Sequence, residues 1–160
     1  MNSENPIGLN QQNSDQIIEV LNILLADHQI YYQNLRAFHW LILGKTFFQL
    51  HEKYEELYNE AAANIDEIAE RILMLGGNPL HSFESYIEKA TLKSSLNVRS
   101  GSESLKIVQA NMLFLLKYSR EILLLAAEKN DEGTVAILGE LITQYEKHLW
   151  MISAFSSDID

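Results

Sequence analysis

Two imidazoles and three carboxylates at helical spacing carry whatever chemistry this 160-residue chain does: His39, His51, Glu55, Asp66 and Glu70. From about Phe47 to Leu75 the apolar residues recur at the helical period. Placing the polar residues of that helix at ~100° per residue sets Glu55 at ~40°, Asp66 at ~60° and Glu70 at ~100° from His51. One imidazole and three carboxylates therefore share one side. A rise of ~1.5 Å per residue nevertheless separates His51/Glu55 from Asp66/Glu70 by ~22 Å along the axis, which no single metal centre spans. Each pair is an i, i+4 pair and acts together, because residues four apart are surface neighbours. Completing a centre then requires the His51 end of one helix to meet the Asp66 end of another copy running antiparallel. A two-fold axis supplies that contact and generates two identical sites per dimer. His39, across the short Gly44-Lys45-Thr46 turn, completes the histidine-rich half.

Nitrogen and carboxylate ligands suit iron, manganese or zinc, and a chain without Cys has no thiolate chemistry. Carboxylates and imidazoles that leave open positions favour redox-active Fe(II) over a closed structural zinc site. Taken singly, His39 and His51 read as ordinary half-buried histidines, and the three acids as a solvated stripe. Taken jointly, they read as a metal site. Ferritin-like di-iron bundles carry Glu-x-x-His motifs within one subunit. None of the five histidines here has Glu three residues before it; those positions hold Leu25, Arg36, Phe48, Asn78 and Tyr145. The shared site is favoured over an intrasubunit one on that ground.

His39-Trp40, His51 with Glu55, and Asp66 with Glu70, followed by Arg71 and the Gly76-Gly77-Asn78-Pro79 stop, resemble the ferroxidase signature of the Dps-like ferritins, or mini-ferritins. The likeness covers roughly residues 15 to 155 and includes Lys147-His148-Leu149-Trp150. Glu55 stands where many members have Asp. The resemblance implies an all-α, ferritin-like four-helix subunit in a hollow homo-oligomeric shell of twelve. It implies Fe(II) bound by His39, His51 and Glu55 of one subunit and by Asp66 and Glu70 of the next. Hydrogen peroxide is the expected oxidant, with oxygen the poorer one. Fe(III) oxide would collect inside, nucleated by acids such as Glu52, Glu56 or Glu60, giving iron storage and protection from oxidative damage. Trp40 corresponds to a family tryptophan that sits beside the iron and takes up an oxidising equivalent; plain packing is its other reading. Family shells admit cations through acidic three-fold pores near the start of the last helix. Asp131, Glu132 and Glu140 fall there, with Ala136 in the intervening turn. Arg71 is expected to form an ion pair between subunits, and His28 and His81 to be structural or surface residues. The competing function is a non-catalytic shell acting in DNA protection or as an interaction scaffold.

Length and composition agree with one helical domain: 47% hydrophobic residues and only two Pro and seven Gly. Residues 1–13, rich in Asn and Gln, read as a flexible tail ahead of a domain at 14–156. Ser14 or Asp15 is a candidate cap for a first helix to about Leu43. The second ends at Gly76-Gly77, and a crossover follows with a short helical pattern over Ser82 to Ala90. Ser102 is a candidate cap for the third helix, which stops near Lys129-Asn130, and the fourth starts at Asp131. One long crossover lets helices two and three run in the same sense. No apolar run approaches ~20 residues, so no membrane span is expected. The N-terminus lacks the pattern of a secretion signal, and the cytoplasm is the expected compartment. The net charge is −10, no Lys or Arg precedes Arg36, and the end reads Ser156-Ser157-Asp158-Ile159-Asp160. Nucleic-acid affinity comes largely from Lys/Arg on phosphates, so DNA binding is not expected.

Overall fold

The apolar stripes become helices. The computed structural model describes residues 3–157, which form α1 (Gln11–Leu41), α2 (Phe47–Met74), a short α3 (Phe83–Lys89), α4 (Gly101–Glu128) and α5 (Glu132–Ser157). α1 packs on α2 and α4 on α5, α1 also lies against α4, and α3 rides on α1. This is the expected all-α four-helix bundle with its extra helix in the crossover. The core is one cluster built from Leu21, Leu24, Leu35 and Phe38 of α1, Leu57, Ile68 and Ile72 of α2, and the apolar faces of α4 and α5. Among the described residues no helix is long and apolar enough to cross a membrane.

α2 and α4 start side by side. The Leu43 N–H donates to the Arg99 carbonyl at 2.9 Å, and a Cβ on Gly101 would stand 2.6 Å from Thr46 Oγ1. Only a glycine lets the two helix starts approach so closely. The crossover that makes this possible is tied to α1 by two polar residues buried in its stripe. Asp27 Oδ1 accepts from the Thr91 and Leu92 N–H groups at 2.7 and 2.8 Å. Asn34 Oδ1 accepts from the Ser95 N–H at 2.9 Å, and its amide donates to the Lys93 carbonyl and to Asn111. These bonds satisfy loop backbone that burial would otherwise leave orphaned.

Three boundaries depart from expectation. Asn10, not Ser14 or Asp15, caps α1, its side chain accepting from the Asn13 N–H at 2.9 Å. Ser14 is buried and accepts from Asn5, which also donates to the Leu75 carbonyl. Residues 3–13 are thus not a loose tail: Asn5 fastens them over the ends of α1 and α2, while Met1 and Asn2 lie outside the described residues. Ser100 rather than Ser102 caps α4. At both caps two or more short polar residues compete, and apolar periodicity does not discriminate among them. Asp158, Ile159 and Asp160 also lie outside the described residues.

The bundle centre holds a buried imidazole. His28 donates through Nδ1 to the Leu24 carbonyl at 2.8 Å and accepts through Nε2 from the Tyr145 hydroxyl at 2.6 Å. Burial lowers its pKa from 6.5 to about 4, since a charged ring there would lose its hydration. A depressed folded-state value means that this stability is fully present above pH 6.5 and lost as pH falls through about 4. Roughly 3 kcal/mol should disappear across that window, from 1.36 kcal/mol per pH unit. Urea midpoints should fall between pH 7 and pH 4.5 in the wild type, and less steeply in His28→Gln.

Candidate metal centre

His39 is on the last turn of α1 and His51 on the second turn of α2. The turn between them reverses at Gly44, whose φ of 110° lies where side chains are disfavoured. The reversal brings the two imidazoles into a stack, with centroids 3.7 Å apart and planes 13° from parallel. Each ring is also clamped by the other residue's backbone: His39 Nδ1 donates to the His51 carbonyl at 2.7 Å, and His51 Nδ1 to the His39 carbonyl at 2.8 Å. A carbonyl only accepts, so both Nδ1 atoms carry the proton and both Nε2 atoms present a lone pair. That tautomer, held by a backbone acceptor, is the one a metal-ligating histidine needs. Phe47 stacks on His51 at 4.9 Å, and the Tyr58 ring stands edge-on to His39 at 5.3 Å.

Glu55 is exposed one turn beyond His51, and Asp66 and Glu70 are exposed farther along the same unbroken helix. The fold brings His39 and His51 together, with Glu55 one helical turn beyond His51, and leaves Asp66 and Glu70 farther along α2. Among the described residues no three His, Asp or Glu side chains of one chain converge on an ion position. The same face of α2 exposes Phe48 and Leu73, 80% and 56% accessible, at ~60° and ~40° from His51 on the helical wheel. Large apolar side chains interleaved with acids mark a surface that another protein covers. Trp40 is 57% accessible, and the Arg36 guanidinium lies 4.9 Å from its ring and 5.3 Å from that of Tyr32.

Two expectations are corrected. Arg71 does not face outward for a partner: its guanidinium pairs with Asp131 and donates to Thr134 Oγ1 at 3.0 Å within the same chain. Asp131 is 2% accessible and caps α5, accepting from the Thr134 N–H at 3.0 Å. A buried, paired carboxylate cannot line an entrance, so Asp131 leaves that set. Its Asp-x-x-Thr spacing is a capping signal that charge counting overlooks. Glu132 and Glu140 remain exposed with Ala136 between them, and Glu140 and Ala136 border an open groove with Gly139 and Thr143. His148 donates through Nε2 to the Glu60 carboxylate, tying α5 to α2, and Glu56 pairs with Lys53 at 3.1 Å. Sequence reasoning also missed Phe47 and Tyr58 as supports of the imidazoles, since an aromatic on a helical stripe reads first as core.

Comparison with known proteins is consistent along the whole chain. The ferritin-like domain family matches residues 18–160. The DNA protection during starvation protein of Porphyromonas gingivalis is 41% identical over 150 residues, 94% of each chain. Among solved structures, a Dps protein from Vibrio cholerae superimposes with a TM-score of 0.94 at 42% identity over 97% of both chains, and is described as a member of a broad superfamily of ferritin-like diiron-carboxylate proteins. A Dps protein from Bacillus brevis gives 0.87 at 35% identity, over 90% of this chain and 97% of that one.

Proposed function

The chain belongs to the ferritin-like family, among its Dps proteins, and on that premise we propose that it is a ferroxidase that stores iron in a hollow homo-oligomer. The observation that carries this reading is the locked His39/His51 pair, which keeps both Nε2 atoms free of protein partners one helical turn before the exposed Glu55. A two-fold mate placed antiparallel would supply Asp66 and Glu70, and Phe48 and Leu73 would be buried in the same contact. Ferrous ions are the substrate. Two of them bound between subunits each give one electron, and hydrogen peroxide takes both and leaves as water. Pairing the electrons this way keeps hydroxyl radical from forming. Oxygen serves as the slower oxidant.

The rest of the reading concerns what happens around that site. In a shell of twelve, Glu132 and Glu140 focus cations toward an entrance. The ferric product hydrolyses to oxide inside, near acids such as Glu52. Glu60 is a weaker candidate for nucleation than it looked, because His148 engages it. Relatives are named for DNA protection, and this chain would protect DNA in the cytoplasm by removing iron and peroxide rather than by coating it. Its net charge of −10 and its lack of any cation before Arg36 deny the phosphates a counter-charge.

Anaerobic loading with Fe(II) followed by a stoichiometric pulse of peroxide tests the reading. Wild type should form Fe(III) rapidly with little trapped hydroxyl radical. Asp66→Asn/Glu70→Gln should lose at least about a hundredfold in rate while keeping its oligomeric mass, since ligand charge stabilises the oxidised ion by several kcal/mol. Uncatalysed rates in both proteins would return the scaffold reading.

A further inference from the structure

We propose that Arg36 is the counter-ion of the iron-free site, pairing with Asp66 of the partner subunit until a ferrous ion displaces it. The inference rests on the shared-site reading and goes beyond it, because binding and oxidising iron make no use of an arginine. Arg36 is half-buried on α1, its guanidinium 5.3 Å from the centroid of the Tyr32 ring and 4.9 Å from that of Trp40. Two aromatic faces hold a cation without occupying its N–H donors. Among the described residues no carboxylate stands within ion-pair distance of it. In a chain of net charge −10, a prepared cation with no acid of its own points to an acid from outside the chain.

Two registers set the level of Arg36. α1 and α2 run antiparallel, with His39 stacked on His51 and the Tyr32 ring edge-on to Tyr58 at 6.1 Å. Arg36 lies between those two contacts on α1, so it is level with Tyr54 and Glu55 on α2. The second register is that of α2 against a two-fold mate. Setting His51 opposite Glu70 of the partner subunit also sets Glu55 opposite its Asp66, Phe48 opposite its Leu73 and Asn59 opposite its Ala62, since a step forward on one antiparallel helix is a step back on the other. These eight residues share ~100° of one side of α2, and seven of them are exposed. Arg36 is then level with the one pair in this contact that sets acid against acid.

Without iron, each end of that contact gathers three carboxylates: Glu55 of one chain with Asp66 and Glu70 of the other. The remaining cations of this region are spent or distant. Lys53 pairs with Glu56 and lies ~200° from His51 on the wheel. Arg71 is closed on Asp131, and Lys45 is in the turn ahead of α2, which starts at Phe47, two helical turns short of Glu55. Arg36 is the only basic residue of α1 before His39. A guanidinium meets a carboxylate with two parallel N–H···O bonds, and between Glu55 and the partner's Asp66 it offsets the repulsion of like charges. Fe(II) brings two positive charges to the same acids, and Arg36 then yields them. One residue thus holds the empty contact together and competes with iron for it.

Two readouts test this: the urea midpoint of metal-free protein at fixed protein concentration, and anaerobic Fe(II) binding by equilibrium dialysis. Arg36→Gln should lower the metal-free midpoint, yet bind Fe(II) about fivefold tighter, the size expected of a part-exposed ion pair. Arg36→Lys, which keeps the charge, should stay nearer wild type in both. In an Asp66→Asn background, Arg36→Gln should lower the midpoint no further, because the two residues form one pair and their effects do not add. An equal loss in both backgrounds, or Fe(II) binding that is unchanged or weaker in Arg36→Gln, would overturn the proposal and leave the ferroxidase reading standing. Failure of wild type to bind Fe(II) would instead strike the ferroxidase reading, whereas the cycle of midpoints, measured without metal, decides the Arg36 pair by itself. Circular dichroism and oligomeric mass of Arg36→Gln separate a lost pair from a misfolded chain.

Discussion

Co-expressing His51→Ala subunits with Asp66→Asn/Glu70→Gln subunits should restore iron oxidation that neither variant performs alone. In a site shared across a two-fold axis, the mixed dimer has one site with both defects and one with none. The intact site takes its histidines from the acid-deficient chain and its acids from the histidine-deficient one. Random pairing makes half the dimers mixed, so about a quarter of all sites should be whole, because an isologous contact presents residue i to j and j to i. The rate of Fe(III) formation should approach that fraction of the wild-type rate. A site complete within one chain gives no recovery at any mixing ratio, since every chain then carries its own defect. The geometry already leans toward recovery: α2 is one unbroken helix from Phe47 to Met74, so Asp66 does not fold back on His51 within one chain.

The locked imidazoles sharpen the same expectation. His39 and His51 each spend Nδ1 on the other's carbonyl, so neither depends on the partner subunit for its tautomer. On the shared-site reading, the histidine half is prepared within one chain, and the partner would add the two carboxylates. His51→Ala should therefore damage more than one ligand, because it also leaves His39 without its stacked neighbour. Removing Asp66 and Glu70 leaves that half intact, which makes the acid variant the cleaner partner in the mixing experiment.

How much of this was legible in the sequence follows from what periodicity can carry. The five helices and the same-sense arrangement of α2 and α4 were readable, because apolar spacing, Gly76-Gly77 and the length of the crossover report on backbone directly. So was the common face of His51, Glu55, Asp66 and Glu70, which depends only on helical geometry. The stack of His39 on His51 was not, since it depends on how tightly Gly44 folds the chain back. The pairing of Arg71 with Asp131 was hidden for a similar reason: sixty residues separate them, and neither has a local pattern that names the other. Both looked like surface charges, although one caps a helix and the other fills the gap at Gly133, where a Cβ would lie 2.8 Å from the Arg71 guanidinium. The residues of 3–13 misled because Asn and Gln are read as solvated, whereas Asn5 uses its amide as an anchor.

Asp131→Ala should be the most destabilising single change at these positions, costing about 3–5 kcal/mol because it strands the Arg71 guanidinium in a nearly dry site. The side chain of Arg71 is 10% accessible and that of Asp131 2%, so water cannot replace the lost partner. The same substitution removes the cap on α5, worth roughly a further 1 kcal/mol. Asp131→Asn keeps an acceptor for the Thr134 N–H and loses only the charge, so it should fall between the two. Arg71→Met combined with Asp131→Asn removes both charges and should recover much of the loss, since a buried pair replaced as a unit costs far less than one broken. Urea unfolding of the four proteins measures the series. Concentration dependence separates this from the pairing between subunits that the sequence alone suggested: an intrachain bridge lowers stability equally at all concentrations, whereas an intersubunit one weakens assembly and spares the subunit. Arg71 also follows Glu70 directly, and releasing it frees the last turns of α2. Asp131→Ala should therefore slow iron oxidation under conditions where the shell still holds, although Asp131 touches no ligand.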